Sequence, residues 1–300
     1  MTVELAHVSD LHVRGPSLGP WTGLLSKRWI GALNGLWRDH PLELLERILE
    51  DLRRRPPDHL AVTGDLTNTT LEGELARACR ALAGVVEPAR LSIVPGNHDA
   101  YVRGPVRARR FEHHVAPLLG LAPEALVWPR VQRVPLGDGG AGRELALVSL
   151  NSAVPTPWFT AYGRVGPEQL ARLDEALAAP AARRVVLVHH PPVQGDGRPD
   201  RPWRRNRDGA ALLERCLARG VDLVLCGHTH APFRRRLARP DGRPLWVVCA
   251  GSSTRPARAL GRGGTYHRYW LEADGPIRLD VRGLDPASGR VGPVESVALT

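Results

Sequence analysis

The sequence predicts an α/β fold. Two observations carry this: short β-branched or Leu-rich runs recur along the chain, each followed by a turn, and helical patterns lie between several of them. A third narrows it, because residues able to do chemistry follow the runs rather than interrupt them.

Taken in order, "VELAHVS" (3–9) reads as the first strand, and "PLELLERILEDLRRR" (41–55) as the first helix of the alternating pattern. "HLAVTG" (59–64) is the next strand, "LEGELARACRALAGVV" (71–86) a helix, and "LSIVPG" (91–96) a strand again. The same rhythm resumes with strand "LALVSL" (145–150), helix "GPEQLARLDEALAA" (166–179), strand "RVVLVHH" (184–190) and helix "DGAALLERCLARG" (208–220). "VDLVLCG" (221–227) and "LWVVCAG" (245–251) follow as strands. "TYHRYWLEAD" and "IRLDVRGL" read as an antiparallel pair closing one domain over residues 1–284. No linker long enough to separate two domains is present. Residues 285–300, rich in Gly, Pro and Ser, are expected to be a loose tail.

The bulk numbers fit this picture. Three hundred residues, 43% of them hydrophobic, suffice for one large α/β core. No apolar run approaches the roughly 20 residues that span a bilayer. The candidate site begins by residue 10, which leaves no room for a leader, so a cytoplasmic setting is expected. Cys79, Cys216, Cys226 and Cys249 form no CxxC pair and read as reduced, structural cysteines. The net charge of +10 comes almost wholly from arginine, Lys27 being the only lysine. Such a surface favours anionic partners, whether nucleic acid, phosphorylated small molecules or an acidic membrane face, and arginine richness can equally be a compositional habit.

One insertion, at about residues 21–38, departs from the alternation. Wound as a helix, "LSKRWIGALNGLWR" (25–38) gathers Leu25, Trp29, Ile30, Leu33, Leu36 and Trp37 on one face of about 140°. Two readings fit: an interfacial helix whose Trp21, Trp29 and Trp37 touch lipid or an acyl chain, or an ordinary amphipathic helix covering the core. Gly31 and Gly35 weaken either helix.

At the strand ends stand Asp10 and His12, "GDLTN" with Asp65, "GNHDA" with Asn97 and His98, "HHPP" with His189 and His190, and "GHTH" with His228 and His230. Ligands of open α/β sheets bind at the carboxyl ends of strands. Strand alternation would aim Asp10 and His12 at one point, and would turn His190 away from the side that His189 faces. Gly64, Gly96 and Gly227 fit sharp turns where the backbone passes close to a site. Carboxylates, imidazoles and one amide oxygen, without thiolates, suit manganese, iron or zinc rather than a Cys-rich structural zinc site. Asp65 can use both carboxylate oxygens to bridge two ions, and two ions about 3.5–4 Å apart clamp an in-line displacement at phosphorus.

The series D-x-H, G-D, G-N-H-D, H-H-P-P and G-H-x-H resembles the calcineurin-like metallophosphoesterases, from Asp10 to His230. The resemblance implies a four-layer α/β/β/α sandwich of two mixed sheets flanked by helices. It implies two divalent ions (Mn²⁺, Fe²⁺/Fe³⁺ or Zn²⁺), one held by Asp10, His12, Asp65 and His230 and the other by Asp65, Asn97, His189 and His228. Solvent bridging them would attack phosphorus. His98 would contact the phosphate and assist the departing oxygen, and Asp99 would orient His98. His189 is chosen over His190 because the family position is H-x-P-P. His7, His40, His59, His113, His114 and His267 read as ordinary histidines.

Within that family the leading expectation is a phosphodiesterase of the cyclic nucleotide or glycerophosphodiester type. A membrane-surface pyrophosphatase of a lipid precursor such as UDP-2,3-diacylglucosamine is the first alternative, although "GNHD" departs from the G-N-R-D usual there. A DNA-repair-type nuclease is the second, although no dedicated nucleic-acid module is seen. The arginine-bearing loops "YVRGPVRARR" and "GRPDRPWRRNR" leave the same edge, with Arg103, Arg107 and Arg204 as candidate contacts to an anionic phosphoester.

Overall fold

The computed structural model describes residues 2–15, 42–137, 143–255, 264–285 and 287–300. The 21–38 insertion, with Trp21, Trp29 and Trp37, lies outside the described residues.

Two mixed six-stranded sheets pack face to face. One contains β1 (Val3–Val8), β2 (His59–Val62), β3 (Leu91–Ile93), β10 (Thr265–Leu271), β11 (Ile277–Asp285) and β12 (Arg290–Leu299), in the order β12-β11-β10-β1-β2-β3. The other contains β4 (Arg130–Pro135), β5 (Glu144–Ser149), β6 (Arg183–Leu187), β7 (Leu223–Cys226), β8 (Phe233–Ala238) and β9 (Pro244–Cys249), in the order β4-β5-β6-β7-β9-β8. β1, β2 and β3 run parallel, as do β5, β6, β7 and β9, and the outer strands are antiparallel.

Alternation divides each central strand between two cores. Leu5, Ala61, Leu147, Leu187 and Leu225 meet between the sheets. Ala6, Val8, Leu60 and Val62 face outward, where they meet α1 (Leu42–Arg54), α2 (Glu72–Leu82) and α4 (Arg110–Leu118). Val148, Val186, Val224 and Val247 face α5 (Pro167–Ala178) and α6 (Gly209–Ala218) on the other side. A strand buried on both faces reads as a continuous apolar run, which is why these strands stood out in the sequence. Helix α1 presents Leu45, Ile48, Leu49 and Leu52 at i, i+3, i+4 and i+7, the spacing of one helical face. The result is the expected four-layer α/β/β/α sandwich.

The expected loose tail is corrected. Residues 290–299 form β12, paired antiparallel along β11 from Asp285↔Arg290 to Ile277↔Leu299, and Leu299 closes the inter-sheet core. Its Gly and Pro residues mark an irregular register between Val281 and Arg282 on an edge strand, where Pro293 is tolerated. No helix among the described residues is long and apolar enough to cross a membrane.

Candidate metal centre

The carboxyl ends of β1, β2, β3, β6 and β7 converge, and the motif residues lie in the loops just beyond them. Asp10 and His12 are past the end of β1, so strand alternation does not aim them. Their backbones are left-handed instead, with φ of 53° and 45°, and so are those of Asp65 (53°), His228 (71°) and His230 (58°). Such conformations cost a non-glycine residue free energy and persist only where the surroundings impose them. Here the surroundings are explicit. Asp10 N–H donates to the Gly64 carbonyl (3.0 Å) and His12 N–H to that of Asp65 (2.8 Å). Ser252 and Thr254, beyond β9, donate their hydroxyls to the Asp10 carbonyl.

Glycine is required where these loops touch. A side chain at Gly96 would collide with the Asp65 carboxylate, and one at Gly227 with Ser9 and Asp10. Gly64 combines a φ of +89° with contact to the Gly96 backbone and the His189 ring.

Two donor clusters result. In the first, His12 Nε2 and His230 Nε2 are 2.9 Å apart, and Asp10 Oδ1 is 3.3 Å from His230 Nε2. In the second, Asn97 Oδ1 lies 2.8 Å from His228 Nδ1 and 3.1 Å from His189 Nε2. Asp65 Oδ2 stands between them, 3.7 Å from His12 Nε2 and 3.5 Å from His189 Nε2. Donors about 2.1 Å from a shared ion are roughly 3.0–3.4 Å apart, so the spacing, the burial and the nitrogen–oxygen donor set all fit divalent ions. Asp65 differs from expectation in one respect: its Oδ1 accepts the His98 backbone N–H (2.8 Å), so one oxygen rather than two faces both clusters.

Charge at the centre follows from this packing. Burial opposes a charge on Asp65, yet the imidazoles of His189, His98 and His12 hold its carboxyl well below the usual carboxylate range. Burial likewise opposes a charge on His189, but the Asp65 carboxylate lifts its imidazole to about 9. Burial, reinforced by the neighbouring rings of His190 and His189, pushes His228 well down and so leaves it neutral.

His98 lines the open side of the centre, its ring stacked on Tyr101 at 5.1 Å between centroids. Its Nδ1 faces the Asn68 carbonyl (2.6 Å), not Asp99. The Asp99 carboxylate accepts N–H groups of Gly96, Leu66 and Thr67 instead. It therefore fastens the loops after β2 and β3 together, and the carbonyl of Asn68 sets the His98 tautomer. Burial and the nearby Asp65 charge push the Asp99 carboxyl up to about 7.

His190 is not turned away, because β6 ends at Leu187 and alternation stops there. Its ring lies 4.5 Å from that of His228, its Nδ1 meets Ser152 Oγ (2.8 Å), and its buried Nε2 has no hydrogen-bond partner among the described residues. His7, His59 and His267 are buried within the first sheet, beside Thr63, Ser92 and Tyr269.

The centre opens into a cleft of about 340 Å³. Arg204 lines it and donates Nη2–H to the His228 carbonyl (3.2 Å). Arg103 and Arg107 do not; they lie exposed on the short helix α3 (Arg103–Arg107). Tyr101, Phe159, Trp203 and Arg255 line the cleft and were not singled out from the sequence. One signal was available: "PWF" (157–159) places two aromatic residues outside any strand or helix pattern.

Comparison with known proteins gives the family. A cAMP/cGMP dual specificity phosphodiesterase of Mycobacterium tuberculosis (strain CDC 1551 / Oshkosh) is 33% identical over 273 residues, covering 88% of this chain and 72% of that protein. Among solved structures, GAP50, the anchor in the inner membrane complex of Plasmodium, superposes with a TM-score of 0.57 at 10% identity, over 100% of this chain and 89% of that one. PhoD does so with a TM-score of 0.57 at 10% identity, over 100% and 72%. At such identities the two structures bear on the fold alone. The family model for calcineurin-like phosphoesterases matches residues 3–232, and the chain belongs to that family of metal-dependent phosphoester hydrolases.

Proposed function

We propose that this hydrolase is a phosphodiesterase of cyclic nucleotides working with two divalent ions. The observation that carries the two-ion reading is Asp65 Oδ2, placed between one cluster of Asp10, His12 and His230 and another of Asn97, His189 and His228. The substrate class is supported by the identity with the mycobacterial cyclic nucleotide phosphodiesterase. A cytoplasmic place of work accompanies this reading.

When bound, the two ions would neutralise phosphoryl oxygens and lower the pKa of water between them. The chain supplies the rest. Left-handed backbones at Asp10, His12, Asp65, His228 and His230 hold the donors before any ion arrives, so little reorganisation accompanies binding. His98 keeps a proton on Nδ1 for the Asn68 carbonyl, which leaves Nε2 for the substrate side. There it contacts the phosphoryl group; burial lowers the imidazole, so Nε2 rests without a proton, and it must take one from solvent before passing it to the departing oxygen. Arg204 adds a cation at the cleft wall for the anionic substrate.

Mass-spectrometric product analysis with Mn²⁺ tests this, offering cyclic AMP, cyclic GMP, a glycerophosphodiester and UDP-2,3-diacylglucosamine side by side, with Asp65→Ala as the blank. Preferential cleavage of the cyclic nucleotides is expected. Preferential cleavage of the lipid nucleotide would overturn the substrate class while leaving the hydrolase intact.

A further inference from the structure

Among the described residues the exposed large hydrophobic side chains are three valines and three aromatics, and all three aromatics, Trp158, Phe159 and Trp203, sit on two adjoining loops. Ala161 N–H donates to the Trp203 carbonyl (2.8 Å), and Gly163 and Arg207 pair across the same seam, so the loops form one body. Phe159 and Trp203 both line the cleft that holds Asp65 and His98. Phe159 is 80% exposed and carries a φ of 62°. A bulky residue rarely adopts that backbone, and a phenyl ring left in water has not been placed there by core packing.

We infer that Phe159 and Trp203 form a stacking platform for the heterocyclic base of a nucleotide whose phosphate lies at the metal centre. This rests on the nucleotide reading above and names the groups that would recognise the base. The composition of the cleft favours a base over an acyl chain. Exposed rings share its wall with Thr160, Thr229, Arg204 and Arg255, a mixture that suits a flat heterocycle joined to an anion. An acyl chain would need a continuous apolar groove. Stacking uses the π-face common to all bases, so the platform accepts adenine and guanine alike.

The test compares 5′-AMP with ribose 5-phosphate, which share a phosphate and differ in the base. Calorimetry measures their dissociation constants for the wild type and for Phe159→Ala, Trp203→Ala and the conservative Trp203→Phe, while KM and kcat are followed with cyclic AMP and with glycerophosphocholine. Wild type should bind AMP more tightly than ribose 5-phosphate by roughly ten- to a hundredfold. Each alanine variant should lose most of that gap and raise KM for cyclic AMP with little change in kcat, and Trp203→Phe should keep it. Thermal melting of the variants should match wild type, since both rings are exposed. Equal affinity of wild type for the two ligands would overturn the platform, as would loss of ribose 5-phosphate binding in the same proportion. So would variants that lose only sedimentation with phosphatidylglycerol vesicles, which would make the rings a lipid contact. If AMP is preferred through these rings but cyclic AMP is not cleaved, the platform stands and the cyclic phosphodiester reading fails alone.

Discussion

The two ends of the sandwich both bury charge, and they treat it in opposite ways. At the amino end of β6 and β7, Asp222 Oδ1 meets Arg183 (3.2 Å) and Arg239 (3.4 Å), and its Oδ2 accepts the Arg184 N–H. Carboxylate and guanidinium answer each other, so the cluster is complete within the chain. At the carboxyl end, Asp10 and Asp65 have only histidines as ion-pair partners among the described residues. The first end holds no strained backbone at its charged residues, whereas the second holds five left-handed ones. A buried cluster that neutralises itself is architecture. One that turns carboxylate, amide and imidazole donors toward shared points fits a receptor for ions.

The widest separation of the two ends comes from substituting their central aspartates. Asp65→Ala removes the oxygen shared by both donor clusters, so bound divalent ion, counted by plasma emission, and phosphoesterase turnover should both fall to background. Asp222→Asn should leave both readings intact and cost about 3–5 kcal/mol in denaturant unfolding, the usual penalty for breaking a buried pair. Metal loss in Asp222→Asn, or full metal content in Asp65→Ala, would erase the distinction.

Inside the receptor end, positioning and metal holding should separate next. His98→Ala is expected to keep its metals while turnover drops by ~10²–10³-fold, typical for one lost transition-state contact. Asp99→Asn should act differently. Its carboxylate fastens Gly96, Leu66 and Thr67, so the variant should melt earlier as well as turn over more slowly. Equal metal loss in His98→Ala and Asp65→Ala would mean that His98 serves the ions rather than the substrate.

Histidines outside the receptor sharpen the contrast through pH. Burial lowers His59 and His267 to about 3, with Arg130 and Arg234 adding to the effect. Both are neutral in the folded protein, whereas the unfolded chain takes up their protons once the pH falls below about 6.5. Stability is therefore fully present above pH 6.5 and declines from there toward pH 3, by at most ~1.4 kcal/mol per pH unit for each histidine. Urea unfolding at pH 7.5 and 5.5 should show the decline, and His59→Asn should flatten it. A flat profile in the wild type would mean that these rings gain protons without cost.

Legibility in the sequence followed burial. The central strands were readable because both faces are covered, as in "LALVSL" and "VDLVLCG". The strands not foreseen, β4, β8 and β12, are three of the four sheet edges. "RVQRVP", "FRRRLA" and "RVGPVESVAL" carry arginines, a glutamate and prolines because an edge strand must discourage further pairing, and those residues hide it. Helix α4, "RFEHHVAPL", was masked in the same manner by a proline inside it. At the site the motif residues were legible by type, but the means of aiming them was not. Asp10 and His12 lie beyond β1 in a loop whose left-handed turns and cross-loop hydrogen bonds come from tertiary contacts rather than local preference, and His190 likewise lies beyond its strand. The cleft wall was least legible of all, since its residues come from loops far apart in sequence.

Arginine supplies the finest test, because charge alone gave no reason to prefer one loop. Arg103 and Arg107 lie exposed on α3 and do not line the cleft, while Arg204 is part of its wall and is fixed by the His228 carbonyl. A hydrogen bond to a charged group is worth about 1.5–3 kcal/mol, so Arg204→Ala should raise KM for an anionic diester roughly tenfold or more. Arg103→Ala and Arg107→Ala keep only screened, long-range attraction and should shift KM by no more than about twofold at physiological salt. Repeating the three measurements at low salt should enlarge the effect of the two exposed arginines and leave that of Arg204 nearly unchanged, because a contact inside the cleft is screened less than a charge on the surface. If all three respond to salt alike, the +10 surface rather than the cleft is what draws the substrate in.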